Sequence, residues 1–256
     1  PVVLARFGVT LPVLFWYAAG LLWMAFGTWL LWMRPSLTGA RLLGLSFQLV
    51  GFGVSMLILR RDVGGGTAFF LHTALPALAL LLGIALQSHA SVYFPREWPT
   101  LSRARWLPAV LYGGAVGLWL LTGALQSNAF FALSLVLLAV AGGLARRRFA
   151  HERPAEDRAV RRVVSVTGVI AAVTAISVLA LPAVFAGIGV PVGIGLVQAL
   201  CLAAFPLAYL YTIGRYRVFD LQLRVRRNVQ YSVVSFVWAA IPFAVLVWLL
   251  FSGYTP

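Results

Sequence analysis

The feature that most restricts this chain is a recurrence of apolar runs, each about 20 residues long, with the charges held in the connectors between them. As a helix, a run of that length matches the hydrocarbon thickness of a bilayer, and a helix satisfies its own backbone where no water is present. Hydrophobic residues make up 62 % of the chain and charged residues only 10 %, against about 25 % charged in a soluble domain. That polar surface is too small to cover a globule of 256 residues. The expected fold is all-α: a polytopic membrane bundle of eight transmembrane helices forming a single domain over 1–256. The spans are expected at about 11–33, 42–59, 67–92, 106–125, 129–145, 163–185, 191–213 and 231–251.

The connectors set the expected orientation. All 20 basic residues are arginine, and the net charge is +14. The loops after spans one, three, five and seven carry Arg34 and Arg41; Arg96, Arg103 and Arg105; the dense segment 146–162; and the joint 214–230. The loops after spans two, four and six carry only Arg60 and Arg61. Positive loops stay in the cytoplasm, so both ends of the segment are expected to be extracytoplasmic, in an inner (cytoplasmic) membrane. The chain begins with Pro1 and has no signal-peptide pattern, so an internal cut point in a longer protein is expected. A basic balance suits nucleic acid in other settings. Here the arginines alternate with apolar spans, and the expected partner is the lipid bilayer rather than nucleic acid.

Chemistry-bearing residues are scarce. All six acids, Asp62, Glu97, Glu152, Glu156, Asp157 and Asp220, fall in loops, so no carboxylate relay lies at membrane depth of the kind pumps and ion-coupled carriers use. Pro154, with Glu156 and Asp157 after it, suits the start of a solvated helical extension. His72 is the one ionisable group well inside a span; Thr73 or a carbonyl would satisfy it. His89 lies near the end of span three, and no two of the three histidines have metal-ligand spacing. Cys201 is the single cysteine, which excludes an internal disulfide. Gly64-Gly65-Gly66 lacks the Lys-Ser/Thr of a phosphate loop and reads as a turn. Gln48, Gln87, Gln198, Thr122 and Thr174 suit hydrogen bonds between helices. Gly113 and Gly117 form a small-xxx-small pair that permits close contact. Trp16, Tyr17, Trp29 and Trp32 suit the headgroup level, and the more central Trp23 suits packing. No catalytic, cofactor or metal site is expected.

The joint is the most distinctive stretch. Tyr209–Tyr231 holds five of the twenty arginines, and its apolar residues fit both an extended and a helical pattern. Arg215-Tyr216-Arg217-Val218-Phe219-Asp220, followed by Arg227 and Tyr231, resembles the RYRLFD…R…Y stretch of polytopic bacterial sensor proteins. The similarity is to competence-type quorum-sensing sensor histidine kinases and to related multi-span kinases and phosphatases. His89…Tyr93-Phe94-Pro95-Arg96 resembles their H…FP segment at a span end. With the span count, the likeness covers about residues 70–235. The resemblance implies a membrane sensor region in a two-component signalling protein. It implies an extracytoplasmic domain before the bundle, and a further span, dimerisation element and ATP-binding module after it. It also implies a homodimer and a small-molecule or peptide signal, with His89, Phe94, Pro95, Arg215, Arg217, Phe219, Asp220, Arg227 and Tyr231 as transduction residues. His72, Gln48 and Gln198 are the intramembrane polar candidates. No phospho-acceptor histidine or ATP-binding motif lies in this segment. A small-molecule transporter is the alternative, kept open by the prolines in spans three and seven; a membrane enzyme of lipid chemistry lacks paired catalytic groups.

Overall fold

The structure is a computed structural model that describes residues 11–58, 74–94, 97–125, 192–216 and a subset of 157–173. They form α1 (Leu11–Met33), α2 (Thr38–Ile58), α3 (Leu75–Ala90), the short α4 (Pro99–Ser102), α5 (Trp106–Leu125) and α6 (Val192–Tyr216), with further helical turns at 157–163. No strand occurs among the described residues. The helices α1, α2, α5 and α6 are long and apolar enough to cross a membrane. The 23 residues of α1 extend roughly 35 Å, a little more than the hydrocarbon core. Arg34-Pro35 stops it, because the residue before a proline is pushed out of the helical region.

The neighbours pack in an ordered series, α5 on α3, α3 on α2, α2 on α1 and α1 on α6. The α1–α2 seam is built on four glycines. A Cβ on Gly27 would lie 2.6 Å from the Gly44 carbonyl oxygen, and one on Gly51 would lie 2.5 Å from that of Gly20. Two backbones therefore touch where side chains would otherwise hold them apart, which is how helices adhere without a hydrophobic drive in lipid. Gly20 pairs with Gly51 and Gly27 with Gly44, so the two helices are antiparallel. The α2–α3 seam runs likewise: Ser46 Oγ donates to the Gly83 carbonyl at 2.7 Å, and Gly53 faces Pro76 and Leu80. By contrast, Gly113 and Gly117 have nothing within 4 Å of an added Cβ, so the small pair expected to make a close contact makes none with the described residues. Four-residue spacing shows that a face is thin, not what lies against it.

Two indoles join α1 to α6. Trp16 Nε1 donates to the Gly195 carbonyl at 3.2 Å, and Trp23 Nε1 to the Leu202 carbonyl at 3.1 Å. The two bonds span the same sequence separation, so α1 and α6 run parallel. Leu202 is four residues before Pro206, which lies inside α6 and has no N–H to return. Its carbonyl would be orphaned in a buried apolar setting, and the Trp23 indole fills it. Trp23 also stacks on Phe205 with ring centroids 5.1 Å apart. Replacing Trp23 with phenylalanine keeps a ring and removes the donor. We expect a loss of about 1–3 kcal/mol, the usual cost of one unsatisfied buried carbonyl, read as a lower midpoint in thermal unfolding in detergent. Trp16, expected at headgroup depth, is only 6 % exposed. Position along a span does not fix the rotation of a side chain about the helix.

Two further expectations shift. Thr122 Oγ1 bonds to the Leu118 carbonyl of its own helix, not across helices. Asp157, expected in a solvated extension, is 5 % exposed, while Arg158 and Arg162 are exposed. Val160 joins the buried core, and Gly168 lies against Phe205, so this stretch packs inward on α6. His72 and Thr174 lie outside the described residues.

Candidate functional site

The registers bring the C-terminal ends of α1, α3 and α6 to one end of the bundle. There the loop after α3, which carries the H…FP stretch, meets α6 at Tyr209, six residues before Arg215. After Ala90 the chain tightens: Val92 N–H donates to the His89 carbonyl and Tyr93 N–H to that of Ala90, both at 3.0 Å. These three-residue turns satisfy carbonyls that the ending helix leaves free. Trp98 N–H donates back to the Val92 carbonyl at 2.8 Å and closes the loop. The result turns Phe94 into the core, where it is 5 % exposed.

Tyr209 of α6 receives it. This tyrosine is 2 % exposed and is ringed by Phe47 of α2 at 5.3 Å, Phe94 at 5.3 Å and Phe205 at 5.1 Å between centroids. The Phe47 contact is edge-on, a preferred arrangement for aromatic pairs. Gln87 Nε2 of α3 donates to the Tyr209 hydroxyl at 3.3 Å. Tyr209 thus touches α2, α3, the α3–α4 loop and its own helix at one point. It lies three residues beyond Pro206 and less than two turns before Arg215, which is exposed in the last turn of α6.

A second polar link lies beside it. His89 Nδ1 and the Tyr112 hydroxyl share a hydrogen bond of 2.7 Å, joining α3 to α5, with the donor set by the imidazole tautomer. The rings of Tyr93 and Tyr112 each lie 5.8 Å from that of His89. At the opposite end of the same seam Trp119 Nε1 donates to the Ala74 carbonyl at 2.8 Å.

Of the expected site residues, Phe94 is brought to Tyr209 of α6, and His89 lies on α3 two residues after Gln87, the Tyr209 hydrogen-bond partner. Gln48 is elsewhere: its Nε2 donates to Thr28 Oγ1 and to the Met24 carbonyl at 2.9 Å, tying α2 to α1. Gln198 is buried in α6. Pro95, Arg217, Phe219, Asp220, Arg227 and Tyr231 lie outside the described residues. Sequence reading did not single out Tyr112, and it used Tyr209 only as a boundary. A hydroxyl-bearing ring within an apolar run was the available signal in both cases, since such a hydroxyl needs a partner in lipid. Among the described residues no group of three or more His, Cys, Asp or Glu could hold a metal. The arrangement ties helix ends together by ring packing and side-chain hydrogen bonds. No protein-family model, curated protein or solved structure matches this chain.

Proposed function

We propose that this chain is the membrane-embedded sensing and transducing region of a bacterial two-component sensor protein, with its output module outside the segment. The bundle has eight spans, and the arginine-rich end faces the cytoplasm. One observation supports the reading: the Phe94–Tyr209 contact, which joins the H…FP stretch to α6 six residues before the Arg215 stretch begins. A stimulus that favours one packing of α3 against α6 would move Tyr209, and with it Arg215 and the joint 214–230. It acts only as far as it binds one arrangement better than the other. Pro206 gives α6 a place to flex just before that contact.

The test has two arms, both in the full-length protein with Cys201 replaced by serine. In the first, cysteines at Ser36 and Ser127 are labelled from outside intact cells with an impermeant reagent. Ser127 is expected to react and Ser36 to be protected; equal labelling overturns the orientation. In the second, Phe94→Ala is expected to change autophosphorylation at wild-type expression level. An unchanged rate, or a parent protein with no kinase module, overturns the transduction reading.

A further inference from the structure

The end of the bundle that holds the Tyr209 contact is also a charged rim. The antiparallel and parallel registers place there the α1–α2 connector with Arg34 and Arg41, the segment between α4 and α5 with Arg103 and Arg105, and Arg215. Glu97 is the one acidic residue described in these connectors. No arginine lies at the opposite ends of α1, α2, α3, α5 or α6 among the described residues. Arg41, Arg103, Arg105 and Arg215 are all exposed.

What separates this rim from a general polyanion surface is its apolar company. Trp32 is 77 % exposed, two residues before Arg34, and Trp106 is 60 % exposed, directly after Arg105. Met33 and Leu37 are exposed beside the first pair. A nucleic acid or an acidic peptide would engage the guanidinium groups and leave these side chains in water. A phospholipid engages both: the indole lies at the boundary between headgroup and acyl chain, and the guanidinium fork takes two phosphate oxygens. Two of the connectors therefore share one unit, an exposed indole within two residues of an exposed or half-exposed arginine.

Resting on the membrane reading above, we infer that this rim selects anionic phospholipids over zwitterionic ones, with Arg41, Arg103 and Arg105 as headgroup contacts. None of the three is part of the Tyr209 cluster, so replacing them leaves the packed core intact.

The full chain is reconstituted in phosphatidylcholine bilayers, and its relative association with spin-labelled phosphatidylglycerol and spin-labelled phosphatidylcholine is measured. A preference for phosphatidylglycerol is expected, falling by up to about fivefold for each of Arg41→Gln, Arg103→Gln and Arg105→Gln. Circular dichroism is expected to show unchanged helix content. Equal association of the two lipids, or a preference that survives the triple variant, overturns the proposal. Displacement of the labelled lipid by millimolar inorganic phosphate also overturns it, since the site would then be one for free anions. The labelling at Ser36 separates this outcome from the orientation: lipid preference lost in the triple variant, with Ser36 open to the outside, sinks the orientation and leaves the rim standing.

Discussion

Replacing Gly27 with leucine is expected to part α1 from α2 and to cost about 3 kcal/mol or more, the upper range for overpacking. The reason is the identity of the obstacle. A Cβ there meets the Gly44 carbonyl oxygen at 2.6 Å and the Gln48 amide nitrogen at 3.1 Å, both backbone atoms. A side chain can swing away, but a backbone in register with three other glycine contacts cannot. The variant should lose its thermal transition in detergent, or show it at much lower temperature, with faster proteolysis. Gly113→Ala is the matched control. Its Cβ meets nothing within 4 Å, and alanine is the better helix former, so that change should be neutral or stabilising by up to about 1 kcal/mol. If both variants behave alike, the α1–α2 seam is not where the structure puts it.

The second large effect is expected at Tyr209. Tyr209→Ala empties the centre of four contacts, those with Phe47, Phe94, Phe205 and Gln87. Truncating a buried aromatic ring costs about 3–5 kcal/mol in a soluble core. In lipid the transfer part of that cost shrinks and the cavity part remains, so the lower end of the range applies. Tyr209→Phe keeps the ring and removes only the Gln87 partner, for about 0.6–1.7 kcal/mol. The pair separates packing from hydrogen bonding, read as the difference in unfolding midpoint. A Tyr209→Ala variant as stable as Tyr209→Phe would show that the rings do not hold this end together. If the transduction proposal holds, Tyr209→Ala should also change output in the full-length protein, in the same direction as Phe94→Ala.

The helical class and the positions of the long apolar helices follow from local facts, and those are legible in a sequence. Run length, Arg34-Pro35 and the arginines of the connectors needed no tertiary knowledge. The packing did not follow. Gly20 and Gly27 are seven residues apart, as are Gly44 and Gly51, yet nothing in either helix says that the two pairs face each other. Trp16 and Trp23 have the same seven-residue spacing, and reading Trp16 as a headgroup anchor took depth into account without rotation. Asp157 looked solvated because its neighbours are arginines, although the alternation of buried and exposed positions at 157–163 puts it on the inward side. At the site, the H…FP stretch and the start of the joint were both visible as motifs. That Phe94 touches Tyr209 depends on the turn after Ala90, whose hydrogen bonds lie in the backbone and leave little trace in side-chain identity.

The bond from Trp23 to the Leu202 carbonyl has a consequence for how this sequence can drift. The indole is needed there because Pro206 withholds an amide, and the proline is tolerable because the indole is present. A lineage that loses the tryptophan first carries an unfilled oxygen. One that first exchanges Pro206 for alanine restores the helical bond and makes the aromatic donor dispensable. Change at these two distant sites should therefore run in one order, proline before tryptophan, and the reverse order should be rarely seen among descendants.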